Sequence, residues 1–267
     1  MAIDYVIGYD CPPKHALSAE GILDRLKARD RARTVIDLYR EGGDHRHPSL
    51  MEFEFTRLNA QGEEEMRVIN VQEMLDRGAE LDPHAERCAG CPANATGHPF
   101  GCYGVVQYPI SGRGERWLLD RLPGIDEPLL WLLLRQGVQE LGYDGELIAS
   151  YRASHDYFEE KRLPGRDLVE FIINGNQVFE MLFMVGAIQP PHAGMLLLLF
   201  GAIPRAVEAD QIARILNRQL STEEIALDYP FQLHAQDDDD SSIHDLKGFF
   251  RALHAAWMLN VPVGVDA

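Results

Sequence analysis

The chain has only 4 cysteines among its 267 residues, no apolar run long enough to cross a bilayer, and a shortage of positive charge. Each shortage excludes something. The two most apolar stretches, Leu129–Leu134 and Met195–Ile203, fall far short of the ~20 residues that span a hydrocarbon core. They read as buried core segments, and no membrane partner is expected. Lys and Arg number 25 against 42 Asp and Glu, a net charge of −17. A surface this acidic repels phosphate backbones and anionic lipid, so no nucleic-acid partner is expected. The one local exception is Arg25, Lys27, Arg29, Arg31 and Arg33, interleaved with Asp24, Asp30 and Asp37. That alternation reads as a solvated helix face.

The familiar catalytic signatures are missing too. There is no Gly-x-Ser-x-Gly elbow, no Walker loop, no His-Glu-x-x-His and no repeat of solenoid period. Ser154-His155-Asp156-Tyr157 holds triad residue types, but neighbours on a helix point apart, so a helix start is the simpler reading. Gly42–His47 reads as an exposed turn and Asp237–Asp240 as a solvated acidic loop before a helix. The opening Met-Ala-Ile-Asp-Tyr lacks a basic stretch followed by an apolar run. The expected setting is therefore cytoplasmic and reducing, where disulfides are rare.

What is present reads as an α+β fold. A small, mainly antiparallel sheet with a cysteine-rich metal-binding loop occupies residues 1–125. A helix-rich part, 126–267, packs on it as one compact unit. Ile3–Tyr9 and Val105–Ile110 are short apolar runs that stop at proline, the pattern of buried strands. Ser18 caps a long amphipathic helix over Ala19–Tyr39, ended by Gly42-Gly43. Met51, Phe53 and Phe55 alternate with polar residues, and Asn59-Ala60-Gln61-Gly62 turns that strand back into a hairpin. A short helix over Val71–Arg77 follows, capped by Gly78. Helices are expected over Glu115–Leu122, Pro128–Leu141, Tyr151–Lys161, Asn174–Val185, Ala206–Leu216 and Ile243–Leu259, with Ser241 or Ser242 capping the last. Met195–Phe200 reads as a buried strand by its length. The broad face of Phe249, Phe250, Leu253 and Trp257 offers two uses: docking on the body of the protein, or pairing with a second copy through the C-terminal helix. No protein partner can be named.

The strongest chemical signal is Cys88-Ala89-Gly90-Cys91 followed by Cys102, a C-x2-C-x10-C spacing. Two cysteines three apart on a turn can aim both sulfurs at one ion, with Gly90 supplying the backbone freedom. Residues 92–100 are loop formers with little means of ordering themselves. Cys11 is the best fourth ligand, for a topological reason. It follows the first strand, and Cys102 precedes the second. If those strands pair antiparallel, the exit of one lies beside the entrance of the other. His98, His84 and His15 are the weaker alternatives. Four thiolates suit a closed tetrahedral zinc site, and they also suit an iron–sulfur cluster. The leading expectation is a non-enzymatic binding or regulatory protein with structural zinc. The alternatives are an iron–sulfur redox protein and a zinc-dependent hydrolase that keeps one position open.

Overall fold

The computed structural model describes residues 2–58, 64–153 and 163–266. The fold is α+β with a small antiparallel sheet, as the pattern predicts. The chain begins with β1 (Ala2–Ile7), α1 (Pro12–Leu17) and α2 (Ala19–Glu41), then the hairpin β2 (Glu52–Leu58) and β3 (Glu64–Asn70). Next come α3 (Val71–Ala79), α4 (Asp82–Ala89), β4 (Tyr103–Gln107), α5 (Gly112–Arg121), α6 (Pro128–Glu140) and α7 (Glu146–Arg152). The second half holds β5 (Gly165–Asp167), β6 (Ile172–Asn174), α8 (Gly175–Phe183), β7 (Ala187–Ile188) and α9 (Pro190–Leu199). It closes with α10 (Ala209–Leu216), α11 (Thr222–Asp228), α12 (Ser241–Met258) and β8 (Val263–Asp266).

Two compact units result: Met1–Tyr9 with Pro92–Ala267, and Asp10–Cys91. The reason is non-local pairing. β1 is the second strand of a sheet ordered β4-β1-β8-β7, antiparallel throughout. The first strand of the chain is therefore bonded to its last, a link that no local pattern announces.

In the larger unit α12 lies across β4, β1 and β8 and packs against α9. Its core is aromatic. Phe249 stands 5.0 Å from Phe183 and Phe250 5.2 Å from Phe200, ring centre to ring centre. Phe249, Phe250, Leu253 and Trp257 are all buried, so that face is consumed inside the unit and is not free for a second copy. The acidic run before α12 is also more than a solvated loop. Asp240, not Ser241 or Ser242, caps the helix, accepting from Ile243 N at 2.9 Å. Its other oxygen accepts from Ser111 Oγ at 2.8 Å, and Ser242 Oγ accepts from Ser111 N. Asp239 holds Lys247 Nζ at 2.6 Å, with both side chains buried.

The smaller unit packs α2 against α3 and closes its core with Val35, Ile36, Met51, Val71 and Met74. Ser18 caps α2 by accepting from Gly21 N, as expected. Part of the basic face of α2 is used for docking. Arg25 pairs with Glu80, and Arg29 reaches Gly78 O at 2.6 Å and Asp82 at 2.7 Å. Gly78 is not a helix cap. It lies buried within α3, where a Cβ would come within 3.0 Å of the Arg29 side chain. The hairpin turn at 59–62 and the Ser154-His155-Asp156-Tyr157 stretch lie outside the described residues, as does most of the helix expected over Tyr151–Lys161.

Three helices stand where none was expected. α1, α4 and α9 each begin with proline at the first or second helical position. There the missing N–H costs nothing and the fixed φ favours a helix. In α9 the leucine run Met195–Leu199 is helical and almost wholly buried, which corrects the strand expected there. A helix that is apolar all round is one with no solvent face.

Candidate metal centre

The antiparallel pairing on which the cysteine argument rests is present. Val6 faces Tyr103 across β1 and β4, and Ile7 N donates to Cys102 O at 2.9 Å. Cys102 thus sits at the end of the sheet where β1 leaves it. Four residues on, Cys11 is the N-cap of α1 in an extended conformation, and its carbonyl accepts from His15 N. Cys11 belongs to the smaller unit and Cys102 to the larger.

Cys88 and Cys91 are placed differently from the simple turn expected. Cys88 lies in the last turn of α4 and is buried, whereas Cys91 is half-buried just beyond the helix. The two are joined by a hydrogen bond from Cys91 N to Cys88 O at 3.2 Å. Gly90 between them has φ −101° and open space where a Cβ would go, so the geometry does not require glycine there. Within the smaller unit α1 packs against α4. The pairing of these two short helices brings the segment that carries Cys11 against the segment that carries Cys88. None of the four cysteines is joined in a disulfide.

The loop from Pro92 to Cys102 orders itself, contrary to expectation. Asn94 Oδ1 accepts from Gly97 N at 2.9 Å and Thr96 Oγ1 from His98 N. Ala95 N reaches Gly101 O, Gly101 N reaches His98 O, and Ala93 and Phe100 are buried. Gly101 is the tight point: a Cβ there would lie 2.0 Å from Asn94 Oδ1 and 2.2 Å from Thr96 Oγ1.

The histidines divide. His98 is exposed on that loop. His15 pairs with Asp10 at 3.0 Å, in solvent. His84 differs from both. It lies one helical turn before Cys88, on the same face of α4, and its Nδ1 is buried with no hydrogen-bond partner among the described residues. A buried ring nitrogen left unpaired costs about 1–3 kcal/mol, so it calls for a partner.

No group of three or more His, Cys, Asp and Glu side chains is gathered in metal-binding geometry among the described residues. The other sites weighed from sequence close on themselves. Asp44 is held by the Arg46 side chain and backbone N, which lower its carboxyl below the usual range, and Arg46 lies over the Tyr39 ring. That leaves the Gly42–His47 loop without an open anion cradle. No helix among the described residues is long and apolar enough to cross a membrane. No family model matches the chain, and neither the curated proteins nor the solved structures contain a match to it.

Proposed function

We propose that this is a binding or regulatory protein stabilised by one structural zinc ion, with Cys11, Cys88, Cys91 and Cys102 as ligands. The observation that carries the reading is the end of α4. Cys88 and Cys91, neither in a disulfide, flank one hydrogen-bonded turn, and one helical turn earlier a buried imidazole nitrogen lacks a partner among the described residues. The packing of α1 on α4 within the smaller unit supports Cys11 beside them, and Cys102 is included on its spacing in the sequence alone.

The site is completed by the ion. Thiols must lose their protons to bind zinc, and a site seldom exists preformed without it. Apparent zinc affinities on the order of 10–16 kcal/mol in small peptides set the free energy that binding can spend on gathering the ligands. Four thiolates leave no open position, so the ion organises structure and does not activate water. His84 is the competing fourth ligand, and counting sulfurs tells the two sets apart.

The test is metal analysis of untagged protein purified without oxygen, beside Cys11→Ser and Cys91→Ser variants. One zinc per chain, lost or weakened in both variants, is the expected result. Brown protein with iron and sulfide would transfer the same ligands to an iron–sulfur cluster. Zinc retained at full affinity in Cys11→Ser would point to the three-cysteine, open-site arrangement. Protein without metal would end the reading.

A further inference from the structure

Away from the cysteines, the larger unit contains a cleft of about 560 Å³ whose walls include Trp117, Arg121, Phe200, Ile203 and Arg205. A volume of this order holds a small organic molecule. In a chain of net charge −17, a cleft lined by two arginines stands out.

The two arginines are in different states. Arg205 is fully engaged. It pairs with Glu127 at 2.9 Å, donates to Leu198 O at 2.9 Å and to Leu199 O at 2.5 Å, and also reaches Arg121 O. Gly201, with φ +59°, lets that guanidinium approach, since a Cβ there would lie 3.2 Å from its Cζ. Arg121 is the reverse. Its side chain makes no hydrogen bond or ion pair among the described residues, and its Nε is buried without a partner. Its Cζ lies 4.3 Å from the centre of the Trp117 ring, one helical turn earlier on α5. Stacking fixes the plane of the guanidinium but satisfies none of its N–H groups. Burial and the nearby Arg205 charge work against its positive form and outweigh the Asp239 charge, which favours it.

Counting charge narrows the ligand. Arg205 is matched by Glu127. Asp120, also on the wall, is exposed to solvent and does not pair with Arg121. The carboxylate nearest Arg121, Asp239, favours its charge from a distance but has both oxygens bonded to Lys247, so the N–H groups of Arg121 remain unmatched, and a single planar anion fits a guanidinium edge in charge and shape. The geometry points to this cleft as a binding site for the carboxylate of a small organic ligand, received by the Arg121 guanidinium while Trp117 holds it in plane. The inference does not depend on the metal centre, because no cysteine lines the cleft.

The test uses the full chain and follows the Arg121 Nε–H resonance by NMR during titration with benzoate, acetate and inorganic phosphate. Benzoate and acetate should each give a saturable shift, benzoate at the lower concentration because its ring meets the apolar wall. Phosphate should act more weakly, through charge alone. Arg121→Gln should remove the effect of benzoate on Trp117 emission. Arg121→Lys should weaken benzoate binding at least tenfold, since it keeps the charge and loses the planar fork. No shift with either carboxylate would overturn the assignment, as would tighter binding of phosphate. Because the wild-type titration decides by itself, a variant that fails to fold leaves the proposal open to refutation.

Discussion

Replacing Lys247 by methionine removes one partner of a buried ion pair. Lys247 Nζ sits 2.7 and 2.6 Å from the two oxygens of Asp239, and the side chains are only 7% and 6% exposed. Methionine keeps much of the volume and leaves Asp239 with a desolvated charge that keeps the hydrogen bond from Gln236 N, at 2.8 Å, and the more distant Arg121 charge. Breaking such a pair costs about 3–5 kcal/mol. For a unit of this size that is a fall in Tm of roughly 6–20 °C, taking about 2–4 °C per kcal/mol. Trp117, Trp131 and Trp257 all lie in the unit that contains the pair, so denaturant melts followed by tryptophan emission report on it selectively. The double variant Lys247→Met, Asp239→Asn should recover the larger part of the loss, because it removes the stranded charge and keeps an acceptor for Gln236 N. The pH dependence follows with a definite sign. Burial raises the Asp239 carboxyl, but hydrogen bonds from Lys247 and Gln236 N and the Lys247 charge outweigh it, so the net shift is downward. The pair therefore stabilises the fold above the ordinary carboxylate pKa, and that contribution disappears as pH falls through the lower folded value. In Lys247→Met the deficit should shrink toward acid, where protonation neutralises the stranded carboxyl. A single variant within about 1 kcal/mol of wild type, the ordinary worth of an exposed pair, would refute the argument. So would a double variant no more stable than Lys247→Met.

Other outcomes are expected on the same grounds. Cys91→Ser should lower Tm, reduce metal content and speed amide exchange over residues 80–104; unchanged melting and metal content would count against a ligand role. Gly101→Ala should displace Asn94 and Thr96, whose oxygens hold the 92–102 loop, at about 1–3 kcal/mol, the usual cost of overpacking. Unaltered amide protection at Gly97 and His98 would contradict that. His254 is buried and its Nε2 lies 2.9 Å from Tyr229 O; burial lowers its pKa despite that contact. The unfolded chain therefore takes up the proton first, and stability should be full above the unfolded pKa of about 6.5 and fall as pH drops below it. His254→Gln should flatten this slope, and an equally steep slope in the variant would disprove the assignment.

The sequence made several elements readable because local chemistry and final structure agree at them. Ser18 caps α2, and the 52–58 and 64–70 strands alternate and pair. β1 and β4 share an apolar run ended by proline, and their antiparallel pairing follows the topology argued for Cys11 and Cys102. The errors have a common physical cause. Pro12-Pro13 and Pro190-Pro191 read as stops in sequence, but each opens a helix. Proline cannot distinguish the end of one element from the first turn of the next. Cys88 is expected on a turn because of Gly90 and the two-residue spacing, and it instead ends helix α4. The unpaired Nδ1 of His84 was beyond reach for a different reason. Whether a ring nitrogen finds a partner depends on its surroundings in space. The same holds for Arg121, whose buried Nε has no hydrogen-bond partner among the described residues.

The central claim is the thiolate metal centre, and X-ray absorption at the zinc edge of the purified full chain tests it most directly. A first shell of four sulfurs at about 2.3 Å is the predicted spectrum. Three sulfurs with one nitrogen would put His84 in place of one cysteine. Zinc absent from the protein, or bound only by oxygen and nitrogen, would contradict the claim.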